Sequence, residues 1–403
     1  MRTLYLCYFG LREPLVQTQV LPYLRELQRG GIGVDLLTFE PGWPRSWPEA
    51  ERQRWQAELE QQGIRWHARA YHKWPSLPAT LYDIVIGAWQ VRRVVRRKGI
   101  QVIHARSHVA AALGALAKPL TNAKLLFDIR GFMAEEYVDA DVWPANGLLF
   151  RLTKAAERKL LKAADGFVVL TEKARQILFP SARELVEVIP CCVDAARFQR
   201  TENCDRQVLR RELGVQDSRV LVYVGALGGW YLTEELAEFL AVAHVQDART
   251  FSLILTQSPP EQLRARLERA GVPPSRFLIR SVLPAEIPRY LKAGDVALSF
   301  IKPCYSKLAS SPTKIAEYLA SGLPVICNAG IGDLDELVIN EQVGVIFREF
   351  NAVAYQTALQ QAEALQREPR LAERCRATAR RHFDLAEVGG VRYRRLYQKL
   401  LAK

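Results

Sequence analysis

The residues best suited to chemistry lie between Ser310 and Ile326. Ser310-Ser311-Pro312-Thr313-Lys314 leads into Ile315-Ala316-Glu317-Tyr318-Leu319-Ala320, where apolar side chains recur at helical spacing. The expected element is a helix capped by Ser310 or Ser311. Pro312 would take its first position, where the missing N–H has no partner to lose, and Gly322 would be the left-handed residue that ends it. Such a start offers free N–H groups, the positive end of a helix dipole and the Lys314 ammonium to one point, a set that suits a phosphate. Glu317, expected on the first turn, can accept hydrogen bonds from sugar hydroxyls. Lys302 and Lys307 join Lys314 around Ser310 and Ser311, and that much charge in one loop suits a diphosphate without a metal ion. Gly225-Ala226-Leu227-Gly228-Gly229-Trp230 adds a turn whose backbone can approach a phosphate closely.

The first half of the chain holds two further constellations. Asp128-Ile129-Arg130-Gly131-Phe132-Met133-Ala134-Glu135-Glu136 gathers carboxylates around one arginine, which suits recognition of hydroxyls or phosphate at a reacting centre. Structural pairing of Arg130 with Glu135 or Glu136 is the alternative. His104-Ala105-Arg106-Ser107-His108 also follows an apolar run, and Arg106 and Ser107 are the two expected to reach a ligand. Several chemistries are excluded by spacing. The glycines at 225, 228 and 229 do not make G-x-G-x-x-G, and neither a P-loop nor a G-x-S-x-G elbow occurs. No D-x-D triplet stands at a metal-like position; Asp139-Ala140-Asp141 comes closest in pattern and reads as loop.

These residues need elements to hold them. In the first half, short apolar runs at Leu4–Phe9, Val34–Phe39, Ile64–His67, Val102–His104, Lys124–Phe127, Gly166–Leu170 and Val186–Ile189 alternate with amphipathic stretches. The stretch from Ala79 to Lys98 carries an apolar stripe of Leu81, Ile84, Val85, Ala88, Val91 and Val95. Asp128 to Asn146 reads as a polar loop. A second series runs through Arg219–Val224, Phe251–Leu255, Phe277–Ile279, Val296–Phe300 and Val343–Phe347, and a helix from about Leu385 to Leu401 ends the chain. Repeated βα units imply two doubly wound parallel sheets, residues 1–192 and 193–384, with the 385–403 helix packing back on the first domain. The patternless segment from Arg200 to Asp205 marks the boundary. Ligands of such sheets sit beyond the carboxyl ends of the strands, where every loop singled out above lies.

The 403-residue composition is that of a globular chain with ample core, and no apolar run is long enough to span a bilayer. Seven cysteines without metal-ligand spacing fit a reducing compartment, and Cys191-Cys192 reads as a pair of small buried thiols. The net charge of +13 suits a phosphorylated substrate or an anionic surface. Its clusters, among them Arg92-Arg93 with Arg96-Arg97-Lys98, fall on expected helices without the interleaved aromatics of a nucleic-acid platform, so no nucleic-acid partner is expected.

The 310–326 stretch resembles the donor-site motif of the family 4, or group 1, glycosyltransferases of the GT-B fold, and the resemblance runs along nearly the whole chain. Pro14 to Leu24 looks like the first loop and helix of bacterial surface-polysaccharide members, Asp128 to Glu136 like their D-x-R-G-F segment, and Tyr223 to Tyr231 like their glycine-rich donor loop. The resemblance implies two Rossmann-like domains facing across a cleft. It implies a retaining, metal-independent transfer of a sugar from a nucleoside-diphosphate-sugar donor to a lipid-linked or polysaccharide acceptor, with no cofactor. By analogy, Glu317 binds ribose hydroxyls, while Lys307, Ser311, Thr313 and the backbone near Gly225 hold the diphosphate. Gly228, Ser310 and Lys314 complete the donor set. Asp128, Arg130 and Glu136 are the implied catalytic group, and Gly10, Gln17, Arg106 and Ser107 the acceptor group. The implied location is cytoplasmic, peripheral on the inner face of a membrane, with Arg92 to Lys98 as the contact. The chain departs from the family in four places: Ser310 stands where a glutamate is frequent, Ala226 to Tyr231 lacks Arg and Lys, Asp128 replaces a histidine, and Cys191-Cys192 replaces Asn-Gly. The rival readings are an epimerase or phosphorylase on the same fold, and a nucleotide-sugar-binding or scaffold protein without turnover.

Overall fold

The computed structural model describes residues 1–181, 184–199 and 205–402. Residues 200–204, read above as a boundary segment, lie outside that set. The chain divides into two compact units. Unit 1 comprises Met1–Pro190 with Leu385–Lys403, and unit 2 comprises Cys191–Asp384.

Unit 1 is built on a seven-stranded parallel sheet of β1 (Arg2–Cys7), β2 (Gly33–Pro41), β3 (Ile64–Tyr71), β4 (Val102–Arg106), β5 (Lys124–Asp128), β6 (Gly166–Val169) and β7 (Val186–Val188). Their order is β3-β2-β1-β4-β5-β6-β7. The inner strands are buried on both faces, which is why they read as continuous apolar runs rather than as alternating ones. The order reverses between β1 and β4, so their carboxyl ends flank the crevice where doubly wound sheets take ligands. Unit 2 repeats the plan with six strands: β8 (Arg219–Val224), β9 (Thr250–Leu255), β10 (Phe277–Arg280), β11 (Val296–Ser299), β12 (Val325–Asn328) and β13 (Gly344–Phe347). The order is β10-β9-β8-β11-β12-β13, and its reversal lies between β8 and β11.

Several elements differ from the sequence expectation, each for a local reason. The segment 128–146 is not all loop. Met133–Asp139 is a helix, too short to show a period and masked by its two glutamates. Glu172–Leu178 is another short helix, capped by Thr171 Oγ1, which accepts from Ala174 N. The closing segment starts with π-helical turns, Leu385–Gly390, before the α-helix Val391–Ala402. In the helix Ser76–Lys98, Ala88, Val91 and Val95 are buried, but Leu81 and Val85 of the expected stripe are exposed. The core-facing side is instead filled out by Ala79, Gly87 and Val94, small or β-branched residues that allow close packing on the sheet.

Candidate functional site

The donor-type loops of unit 2 meet at its switch point. The glycine-rich loop leaves β8 and the lysine-rich loop leaves β11, so adjacent strands deliver them side by side. Glycine is required in the first: Gly225, Gly228 and Gly229 all have positive φ, at 140°, 75° and 60°. The two loops are tied together. Tyr231 bridges Ile301 and Lys302 N donates to Trp230 O at 2.9 Å, while within the first loop Gly228 N donates to Thr233 Oγ1 at 2.7 Å. Asn328, at the end of β12, holds the second loop through Ile301 N at 2.9 Å and Ile301 O at 2.8 Å.

The helix that follows is Thr313–Ala320, with Pro312 as its N-cap and no side-chain cap. The expected serine cap is thus corrected: Ser311 Oγ is turned to Cys191 N, which donates to it at 3.1 Å, and Ser310 precedes the helix in extended backbone. Since the helix starts at Thr313, Glu317 opens its second turn, not its first. Gly322 does take the left-handed conformation, at φ 81°. Tyr318 is fully buried beneath the loops. Its hydroxyl accepts from Val224 N at 2.7 Å and donates to Leu298 O at 3.2 Å, locking the helix to β8 and β11.

This framework buries three charged side chains close to the backbone of the loops. Lys307 and Lys314 are both less than a tenth exposed. Lys307 Nζ lies 3.8 Å from the Trp230 ring centroid, and Lys314 Nζ lies 4.3 Å from that of Tyr223 and 4.4 Å from that of Tyr231. Among the described residues Lys314 Nζ has no hydrogen-bond partner. Burial pulls its pKa down to about 7, with Glu317 working the other way. A Cβ on Gly225 would fall 2.9 Å from Lys314 Nζ, so the ammonium sits directly against the glycine loop. Glu317 is buried too. Burial raises its pKa, against the charges of Arg197 and Lys314, and Arg197 Nη1 stands 3.6 Å from Oε1. Arg197, Trp230 and the tyrosines at 223 and 231 were not singled out as site residues; Arg197 lies over a hundred positions from its partner and offers no motif.

In unit 1 the carboxyl ends of β1, β4 and β5 collect the remaining expected residues. Asp128 has no exposed surface. Its carboxylate faces Arg130 Nη1 at 3.3 Å, His104 Nε2 at 3.5 Å and Arg106 Nη1 at 3.8 Å, and accepts from Tyr393 Oη at 3.2 Å. Burial alone would raise its pKa; the arginines and His104 outweigh that and hold it below the usual aspartate range. Arg106, expected to reach ligand, is itself buried beside this carboxylate. His104, buried and neutral by desolvation, shares its Nδ1 with Tyr397 Oη at 2.8 Å. Arg130 thus pairs with Asp128 and not with Glu135, which bonds Lys154 at 2.9 Å. Glu136 lies beside Gly131, where an added Cβ would fall 2.8 Å from its Oε1.

Two acceptor-group residues are constrained more tightly. Gly10 is packed against buried Glu40, whose Oε2 leaves no room for a Cβ; that carboxylate accepts from Leu11 N at 2.9 and 3.1 Å. Gln17 Nε2 donates to Leu11 O at 2.5 Å, so its amide shapes the β1 loop. Ser107 opens the helix Ser107–Ala117 with φ at 69°, a strained position for a non-glycine residue, of the kind that clusters at ligand sites. Among the described residues no group of three His, Cys, Asp or Glu side chains is arranged to hold a metal.

Two family models match the chain. One, described as a glycosyl transferase 4-like domain, covers residues 16–192, and the other, glycosyl transferases group 1, covers residues 205–382. A 2-deoxystreptamine glucosyltransferase of Streptomyces kanamyceticus is 28% identical over 199 residues, 46% of this chain and 48% of that protein, so the match spans about half the length of that curated relative. Whole-chain likeness extends to solved structures. A glycosyltransferase from Rickettsia africae ESF-5 aligns over 99% of this chain and 98% of its own, with a TM-score of 0.75 and 15% identity. HepE of Anabaena, in complex with UDP-glucose, aligns over 100% of both chains, with a TM-score of 0.67 and 18% identity. At such identities the likeness is one of fold, and the fold is that of the GT-B enzymes.

Proposed function

The chain belongs to the group 1 glycosyltransferases, and on that premise we propose that it moves a hexosyl group from a nucleoside-diphosphate-sugar donor, held on unit 2, to a hydroxyl of a lipid-linked or polysaccharide acceptor. The observation that carries the donor assignment is Lys314 Nζ, a buried ammonium without a hydrogen-bond partner among the described residues, set against a glycine loop. A diphosphate would supply the missing partner. Lys307 and Lys314 meet its charge, the Thr313 helix start takes its oxygens, and Glu317 accepts from the ribose hydroxyls.

In this reading the bond from the anomeric carbon to the diphosphate breaks as negative charge gathers on the leaving oxygens. Lysines already desolvated stabilise that charge more than lysines in water could. The acceptor hydroxyl attacks on the face the diphosphate leaves and yields its proton to a departing phosphate oxygen, so configuration is retained. The lysines, not a bound cation, serve the leaving group, and no cofactor enters. Ser107 and the loop at Gly10 seat the acceptor. Asp128 touches no substrate; it is a positioning residue that fixes Arg130, with Glu136 beside Gly131 shaping the same loop. The +13 charge and the basic end of the Ser76–Lys98 helix support an anionic membrane surface as a further partner, and seven cysteines without metal-ligand spacing support a reducing, cytoplasmic setting.

A melting-temperature panel of nucleoside-diphosphate sugars tests the proposal, because a ligand that binds the fold raises its apparent stability. At least one donor should raise the melting temperature, and EDTA should change neither that shift nor turnover. Recovery of turnover only with added Mg²⁺ would contradict the metal-independent step. Donor turnover without any acceptor product would favour an epimerase, a requirement for free phosphate a phosphorylase, and binding without turnover a binding protein.

A further inference from the structure

The helix Ser76–Lys98 carries two apolar faces, and only one has a place in the core. Leu77, Leu81, Val85 and Trp89, spaced by four, are all exposed, Trp89 at 61%. Trp74, just before the helix, is 83% exposed. Along the same face, Arg92 and Arg96 follow one and two turns after Trp89, and Arg93 lies 5.7 Å from its ring centroid. The one carboxylate in this helix, Asp83, is turned inward to Tyr8 Oη at 2.8 Å and His72 Nδ1 at 2.5 Å, so the outer surface carries no negative charge.

One neighbouring helix, Leu148–Ala163, repeats the pattern. Ser107–Ala117 packs beside Ser76–Lys98, and Leu148–Ala163 packs against Ser107–Ala117. Arg92 reaches Leu116 O and Arg96 Nε donates to Leu120 O at 3.2 Å, which joins exposed Leu116 and Leu120 to the Trp89 surface. Leu148 and Leu152 are exposed at the start of the third helix, followed by Arg158, Lys159 and Lys162. Its one carboxylate, Glu157, is likewise buried, against His108 and Lys154. No described helix is long and apolar enough to cross a membrane.

We propose that this three-helix layer of unit 1 lies on an anionic bilayer, with the exposed leucines, Val85 and Trp89 entering the acyl boundary and the arginines and lysines meeting the headgroups. Exposed apolar rows with cations and no carboxylate are the make-up of an interfacial surface. A second copy is the poorer occupant, because a two-fold contact would set Arg93, Arg97 and Lys98 against themselves. The inference extends the membrane-partner reading from one basic turn to a whole inserted face, and is independent of the donor assignment.

Co-sedimentation with vesicles of phosphatidylcholine, with or without phosphatidylglycerol, tests it. The protein should sediment with the anionic vesicles alone. Val85→Glu with Trp89→Glu, and separately Arg93→Glu with Arg97→Glu, should each lower binding by roughly tenfold or more, while keeping a wild-type melting curve that reports an intact fold. If the apolar variant binds as well as the wild type, the protein adsorbs through charge alone and the inserted face is wrong, though the membrane-partner reading survives. Failure of the wild type to bind either vesicle overturns both, and a dimer that Trp89→Glu dissociates would assign the face to a second copy instead.

Discussion

An ammonium buried without a hydrogen-bond partner is costly until an anion arrives to meet it. At Lys314 that cost appears as a pKa near 7. The linkage has a definite sign. Between about 7 and the ordinary lysine value the unfolded chain holds a proton that the folded chain lacks, so Lys314 makes folding more favourable as pH rises through that window. Donor binding runs the other way: a diphosphate restores the charged form, so affinity should be highest below pH 7 and fall above it, by up to about tenfold per pH unit. Calorimetry in buffers of different ionisation enthalpy should find proton uptake on binding at pH 8. Equal affinity at pH 6 and pH 9 would show that Lys314 does not meet the donor. Lys314→Met, which keeps the chain length and removes the charge, should cost donor binding about 1.5–3 kcal/mol while raising the melting temperature of the free protein. The residue types at 313, 314 and 317 were readable in sequence because they share one short segment. The ring faces of Tyr223 and Tyr231 and the guanidinium of Arg197 were not, because they arrive from distant parts of the chain.

Among elements, the glycine loop after β8 decides whether the lysine can do its work. Gly225 combines a φ that side chains rarely adopt with a Cβ position occupied by the ammonium. Gly225→Ala should therefore weaken donor binding by tenfold or more, with a smaller loss of stability, since only the loop and the flexible end of Lys314 need to move. A melting curve and a donor titration on the same sample separate the two effects. An unchanged affinity would mean that the loop does not approach the diphosphate. Strands were legible because parallel strands covered on both faces are unbroken apolar runs, as in Leu4 to Cys7 and Val220 to Val224. Short helices were not: Met133–Asp139 shows no period, and the start of Thr313–Ala320 was misplaced because two serines and a proline offered three capping positions. The exposed stripe of Ser76–Lys98 was misread because period alone shows that an apolar face exists, not which face the sheet covers.

At the level of the whole molecule, both units use one plan, and in both the expected site residues gather at or next to the strands flanking the reversal of order. That convergence was foreseeable from repeated βα units. The packing of the closing helix on unit 1 was an expectation too; the means was not, because the contact is made by buried tyrosine hydroxyls: Tyr393 to Asp128, and Tyr397 to His104 and Thr3. Unit 1 therefore holds a buried charge cluster sealed by the end of the chain. Asp128→Asn should destabilise it by about 3–5 kcal/mol, since Arg106 and Arg130 would lose their shared anion. The depressed Asp128 pKa adds stability above the usual aspartate range and loses it as pH falls through the native value, so the variant should also flatten the acid limb of the stability profile. A variant as stable as the wild type would mean that the cluster is not what secures these strand ends.

The central claim, that unit 2 binds and activates a nucleoside-diphosphate sugar through the Thr313–Ala320 helix, meets its most direct test in sugar transfer by Glu317→Ala. The account predicts that turnover falls to background while the melting curve shows a folded protein, because the carboxylate that orients the ribose is gone and Tyr318 still locks the helix to β8 and β11. Normal turnover by the folded variant would contradict it.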